Sequence, residues 1–249
     1  MIVTVLAFHA EKLHDESVWK RVEKVASWTM RQGMRLTFFV YPFRAQVVGK
    51  DIAERVRALA ALGHEIGQHT HFYAGTKIDK PDKVNDLSQA NIMYCLRRDF
   101  ETLRSMGVQP QGFTAGVWIV NEAVWDTLIE LGFAYDCSTR FQVVKTSNSP
   151  YHRWAKMPQL YTNSMGRLLC LPTTCSLGEW FKWGRKVISE GPVPYQLIYL
   201  HDYDLLKARN YLLLWFFLII NRRSRFVEAG TLAELIRSLG DLSLSLIHI

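Results

Sequence analysis

Cysteine is scarce in this chain, with four in 249 residues. Cys95, Cys137, Cys170 and Cys175 form no C-x-x-C pair and no dense framework. That excludes a zinc ribbon, a redox dithiol and a disulfide-stapled mini-domain. The four read as reduced thiols and point to a cytoplasmic setting. Long apolar runs are also missing. The run at 211–220 has ten residues, about half of the roughly 20 needed to cross a bilayer core. It reads as a buried or surface-lying helix. Lys207, Arg209, Arg222, Arg223 and Arg225 around it leave peripheral contact of the 207–225 segment with anionic lipid open. The chain shows no internal repeat, no low-complexity linker and no nucleic-acid recognition motif, so nucleic acid is not expected as a partner despite a net charge of +7. The first six residues, Met1-Ile2-Val3-Thr4-Val5-Leu6, carry no basic group and read as a strand rather than a signal peptide. The last six, 244–249, look like read-through of a sequencing-library adapter, so residues 1–243 are expected to form a single domain and the rest a non-native tail.

Nearly half the residues, 49%, are apolar, enough for one sizeable core. The positive charge points to an anionic partner. Strand-like and helix-like segments alternate. Residues 2–8 are apolar and β-rich. Helical spacing follows at 18–31 and is closed by Gly33. A second strand is expected at 36–40 and a second helix at 52–62, ended by Gly63. A long amphipathic helix at 86–106 carries Ile92, Leu96, Phe100 and Leu103 on one face. After a short strand at 112–115, Asn121 caps a helix that Gly132 ends. This rhythm predicts an α/β protein, an irregular parallel (β/α) barrel with helices outside.

Three histidines and a glutamate fall within eight residues in His64-Glu65-Ile66-Gly67-Gln68-His69-Thr70-His71. Residues 65–70 are too few for a helix and read as a buried strand. Alternation then puts Gly67, His69 and His71 on one face. Two imidazoles at a strand end either hydrogen-bond nearby backbone or hold a divalent metal and run acid–base chemistry. His9, Glu11, the 114–118 stretch, Asp136 and His201 fall at the same ends of other strands, where barrels of this kind collect chemistry. His64 reads as structural, and Asp15 or Ser17 as a helix cap. Between 140 and 186, eight cations alternate with seven aromatics against one acid, Glu179. That mixture suits an anionic sugar or lipid-linked glycan, or else forms a packed cover over the barrel mouth.

Gly63-His64-Glu65-Ile66-Gly67-Gln68-His69-Thr70 resembles the second motif of the polysaccharide deacetylase (NodB-homology) superfamily of carbohydrate esterases, G-H-E-I-G-x-H-[ST]-x-x-H. Arg35 to Val40 is similar to that family's second strand. The stretches 113–118 and 131–136 resemble its third and fourth motifs, and Ile198-Tyr199-Leu200-His201 its fifth. The resemblance runs in family order from Val3 to Leu239. It implies a barrel of the glycoside hydrolase/deacetylase type and a metal-assisted hydrolase that removes N-acetyl groups from a glycan or glycan precursor, acting on C–N bonds other than peptide bonds. The implied cofactor is a divalent metal, zinc by ligand type.

Carried over residue by residue, the resemblance implies Glu11 and His69 as metal ligands, His201 as general acid and Asp136 as the acid that supports it. Three positions depart from the pattern. His9 stands where the family has its aspartate base, Tyr73 where it has the second histidine, and Thr114 where it has the arginine that orients the base. A histidine works as a base near neutral pH without an arginine, which gives His9 a catalytic role with a limb of activity near pH 6.5. His71 then becomes the third metal ligand, and Tyr73 and Trp118 are expected to touch substrate. The alternative is a catalytically impaired barrel that binds glycan.

Overall fold

The computed structural model describes residues 3–42, 51–73, 85–141, 152–182 and 195–238 and the backbone of 245–247. Of the basic, aromatic segment, Lys145, Tyr151, Trp183, Arg185 and Lys186 lie outside these. β1 (Val3–Ala10), β2 (Thr37–Val40), β3 (Glu65–Thr70), β4 (Gly112–Ala115) and β5 (Tyr135–Asp136) are consecutive parallel neighbours. Beyond β5 come β9 (Gly166–Cys170) and β8 (Gln159–Asn163), an antiparallel hairpin. On the other side of β1 lie β11 (Tyr195–His201) and then β10 (Cys175–Ser176), while β12 (Arg225–Phe226) pairs with the start of β1. β6 (Arg140–Phe141) and β7 (Trp154–Ala155) form a separate parallel pair. The curled, mostly parallel sheet with helices outside is the irregular (β/α) barrel expected of an α/β chain. Ser245–Ile247 (β13), inside the stretch expected to be foreign, pairs in parallel with β8 at the edge. The unpaired backbone of an edge strand accepts such an addition readily.

The central strands are buried on both faces, and their sequences show it: β1 runs Val-Thr-Val-Leu-Ala-Phe-His-Ala with seven of its eight residues buried. The helices of the described residues include α1 (Glu16–Arg31), α2 (Asp51–Ala61), α3 (Gln89–Ser105), α4 (Glu122–Glu130), α5 (Ala208–Ile220) and α6 (Ala229–Ser238). α1 starts two residues before the apolar spacing does, because the Asp15 carboxylate accepts from Ser17 N and Val18 N. α3 starts three residues late. Asp86 turns back to accept from Ser88 N, so Ser88 becomes the cap. Asn121 caps α4 as expected, accepting from Val124 N at 3.0 Å.

Gly63, at φ 87°, makes the turn that feeds α2 into β3. There His64 is structural. Its Nδ1 accepts from Leu36 N and its Nε2 lies 3.1 Å from Ala26 O. The strand ends this arrangement lines up are those of β1, β3, β4 and β11. The registers that set them side by side are His9 against His201, Ala10 against Val40 and His69 against Thr114.

Candidate metal centre

β1 ends at His9-Ala10 and Glu11 follows directly, so alternation carried one residue further sends His9 and Glu11 to one face. Just beyond, the Asp202 carboxylate accepts from Lys12 N at 2.7 Å, which fixes the backbone that carries Glu11. His69 and His71, two apart along the end of β3, reach the same point. Glu11 Oε1 lies 3.4 Å from His69 Nε2 and 3.3 Å from His71 Nε2. One ligand atom from each of Glu11, His69 and His71 falls within 4.8 Å of the others. That is compact enough for a single ion after small adjustments, because metal–ligand bonds to imidazole and carboxylate run near 2.0–2.2 Å.

Proton bookkeeping at His69 makes the geometry specific. Its Nδ1 lies 2.9 Å from the Thr114 carbonyl, an acceptor that can only take a proton. Nδ1 therefore carries the hydrogen and Nε2 a lone pair. Burial pushes the His69 pKa below its usual 6.5, so the ring stays neutral. Nε2 is buried and finds no hydrogen-bond partner. Burial by itself would raise the Glu11 carboxyl, yet the hydrogen-bonded His71 beside it holds it far below the usual carboxylate range. A lone pair and a carboxylate aimed at each other across 3.4 Å repel unless a cation stands between them. The set of two histidines and one glutamate, with the backbone carbonyl behind His69, fits a divalent ion.

The second half of the site surrounds this triad. The His9 ring lies 4.8 Å from that of His69, 4.9 Å from Tyr199, 5.3 Å from Trp118 and 5.3 Å from His201. Burial, with the neighbouring His69 and His201, pushes its pKa well below 6.5. Trp118 reaches this position because Val117 and Trp118 both take left-handed φ values, 55° and 59°. Strain of about 1–3 kcal/mol per such residue is the kind that persists where function requires a geometry. His201 is half-buried. Its Nε2 lies 3.7 Å from Glu11 Oε1 and its Nδ1 3.5 Å from Asp204 Oδ2. It opens on a cavity of about 290 Å³ lined by Ser176, Leu177, Tyr199, Asp204 and Leu213. Tyr73 stays at the rim, stacked on His71 at 4.9 Å and 14°.

One expectation is corrected here. Asp136 does not support His201. Its carboxylate accepts from Trp125 Nε1 at 2.9 Å and from both the backbone and the hydroxyl of Ser138, turned into the packing between β5 and α4. Burial raises its pKa to about 6. Asp204 takes the supporting place instead. It was legible as the residue three beyond His201 in His-Asp-Tyr-Asp, where it joins the cap of a short 3-10 helix. Tyr199 was legible too, two residues before His201 and so on its face. The described part of the basic, aromatic cover is largely self-satisfied. Arg140 is buried, 5.0 Å over Trp118 and 5.4 Å over Trp154, with Glu179 at 3.6 Å. Trp180 packs on Phe217, and Tyr161 on Trp125. Thr114, in the arginine's place, is fully buried and its hydroxyl has no partner.

No protein-family model and no curated protein sequence matches the chain, but solved structures do. The chain superposes on a candidate polysaccharide deacetylase from Mycobacterium smegmatis with a TM-score of 0.70 at 16% identity, covering 100% of this chain and 95% of that one. The peptidoglycan deacetylase PdaC from Bacillus subtilis gives 0.53 at 12% identity over 96% and 93% of the two chains. A CE4-family pseudoenzyme from Bacillus anthracis gives 0.53 at 9% identity over 93% and 65%. The fold is therefore that of polysaccharide deacetylases, in agreement with the order of motifs in the sequence. Within that fold, proteins described as enzymes and as pseudoenzymes both occur.

Proposed function

We propose that this protein hydrolyses N-acetyl groups of a glycan at a divalent metal, zinc by ligand type, held by Glu11, His69 and His71. The observation that carries the reading is the pair of lone-pair-bearing atoms, His69 Nε2 and Glu11 Oε1, converging without a hydrogen bond in a buried place. A bound ion supplies carbonyl polarisation and a more acidic water. The chain's own residues supply the rest. His9, kept neutral by burial, accepts the proton of the attacking water at a ring nitrogen. His201, oriented by Asp204 on its other nitrogen, donates a proton to the departing amine from the cavity side. Trp118 and Tyr199 wall the acetyl group off from water, and Tyr73 offers a ring face to the sugar.

The competing reading is a glycan-binding barrel without turnover. The buried Thr114 favours it, because its hydroxyl has no partner and so orients nothing where the family pattern has an arginine. One experiment decides between them. The full chain, stripped of metal and reloaded with zinc or cobalt, is assayed for acetate release from N-acetylated oligosaccharides, with His69→Ala alongside. Metal-dependent release lost in His69→Ala supports the hydrolase. Glycan binding with no release under any metal supports the binder.

A further inference from the structure

α5 presents two unlike faces. Leu214, Phe217 and Leu218 are buried, with Phe217 against Trp180 and Phe226 and Trp215 against Trp28. The opposite face carries Leu212, Phe216, Ile219 and Ile220, which are 67%, 55%, 50% and 48% exposed. Spacings of four, seven and eight put these on one stripe. Phe181, from the helical turn at 177–182, stacks on Phe216 at 6.0 Å and widens it. Four large apolar side chains on one exposed stripe form a patch, not scattered surface residues.

The charges around the patch say what covers it. Lys182, Lys207, Arg209, Arg222, Arg223 and Arg225 are all exposed and stand at its ends and edge. From 205 to 227 the sequence holds no aspartate or glutamate. An acid does lie just before, where Asp204 reaches Lys207 at 3.7 Å. A second copy of the chain is a poor occupant, since a two-fold contact would press one set of cations against the other. A layer that is apolar within and anionic at its surface meets both demands. The helix has 13 residues and is about 20 Å long, short of a hydrocarbon core of roughly 30 Å. No helix among the described residues can cross a membrane.

We infer that α5 is an interfacial docking helix for an anionic lipid bilayer, with Leu212, Phe216, Ile219 and Ile220 set among the headgroups and the flanking cations on lipid phosphates. Leu213 and Asn210 of the same helix line the cavity that holds His201 and Asp204. The docking helix thus also walls part of that cavity. The inference stands independently of the reaction assigned to the metal centre, because it concerns only the outer face of α5.

Vesicle sedimentation of the full chain tests it, with phosphatidylcholine vesicles compared with vesicles containing about one-third phosphatidylglycerol. The protein should partition onto the anionic vesicles, and the partition should collapse at about 1 M salt, where screening is complete within about 3 Å. Leu212→Asp with Phe216→Asp should abolish it. Arg222→Glu with Arg223→Glu should weaken it about 20-fold or more, since each cation contributes roughly fivefold near such a surface. All four side chains are exposed, so thermal melts of the variants should match the wild type. Equal or absent binding to the two kinds of vesicle would overturn the inference. So would unchanged binding by the apolar double variant, or a wild-type dimer in solution that Phe216→Asp dissociates.

Discussion

Two glutamates sit on this sheet in opposite circumstances. Glu65, at the start of β3, accepts from Tyr135 OH at 2.7 Å, Thr37 Oγ1 at 2.8 Å and Gly230 N at 3.0 Å. Burial raises its pKa, and every donor nearby is spent on it. Glu11, beyond the end of β1, faces three histidine nitrogens between 3.3 and 3.7 Å, of which His71 Nε2 is hydrogen-bonded to it and His69 Nε2 carries no hydrogen, and its carboxyl is held far below the usual range. The same side chain is a latch where all its partners are neutral donors and a candidate ligand where one of them is a lone pair. A buried polar cluster is structural when its hydrogen bonds close on themselves. It becomes a candidate site when they converge on a point and stay open.

The largest effect that separates the two clusters is loss of the metal. His69→Ala should abolish zinc retention, measured by elemental analysis after gel filtration, and bring acetate release to background. His64→Ala and Glu65→Gln should keep the metal. Gly116→Ala comes next. A Cβ there would collide with the His71 ring, displacing one ligand while leaving its chemistry intact. Metal affinity should fall by about 10–100-fold, as it does when the support behind a ligand is removed. Unchanged affinity would mean that His71 is not a ligand.

Much of this comparison was legible in the sequence, and the remainder has physical reasons. Strand β4 and the cap at Asn121 follow from apolar spacing and capping chemistry, which are local. The late start of α3 was not legible, because Asp86 competes for the first turn through its own side chain. At the site, His9, Glu11, His69, His71 and His201 could be placed on one rim, since each sits at the end of a buried strand. Asp136 misled because motif order says which strand end a carboxylate occupies but not which way its oxygens turn. Here Trp125 and Ser138 claim them. The alternating cations and aromatics of 140–186 likewise read as a ligand surface until Arg140 is seen sandwiched between Trp118 and Trp154.

Smaller effects sharpen the roles of the two acids further. Glu65→Gln keeps the shape but turns one accepting oxygen into a donor facing Tyr135, Thr37 or Gly230. It should cost about 1–3 kcal/mol, a fall in Tm of a few degrees for a chain of this size, with the metal content untouched. Asp204→Asn should leave Tm and metal content near the wild type and lower kcat and kcat/KM together, less for activated than for unactivated leaving groups, because it weakens only the orientation of the proton donor His201. Equal losses with activated and unactivated substrates would remove His201 from the proton-donating role.

The smallest effect, and the one that tests His9, is in the pH profile. A base must be neutral, and an ordinary imidazole loses that below about pH 6.5. Burial and the adjacent His69 and His201 push His9 lower, and an ion at Glu11 would push it the same way. The acid limb of kcat/KM should therefore lie clearly below pH 6.5, not at it as the bare sequence suggests, and His9→Ala should remove the limb together with the activity. Unfolding should not imitate it. His9, His64 and His69 all have lowered pKa values, so below pH 6.5 the unfolded chain binds protons that the fold does not, and stability is lost. Asp99 and Asp136 at about 6, Asp202 at about 7 and the raised Glu65 work the other way. The fold takes their protons first, so they add stability as pH falls through those values. The two sets oppose each other between pH 7 and 5.5, and Tm should change little there. A limb at or above pH 6.5, with Tm constant, would take His9 out of the reaction and leave the rim around Glu11 as a glycan-binding surface.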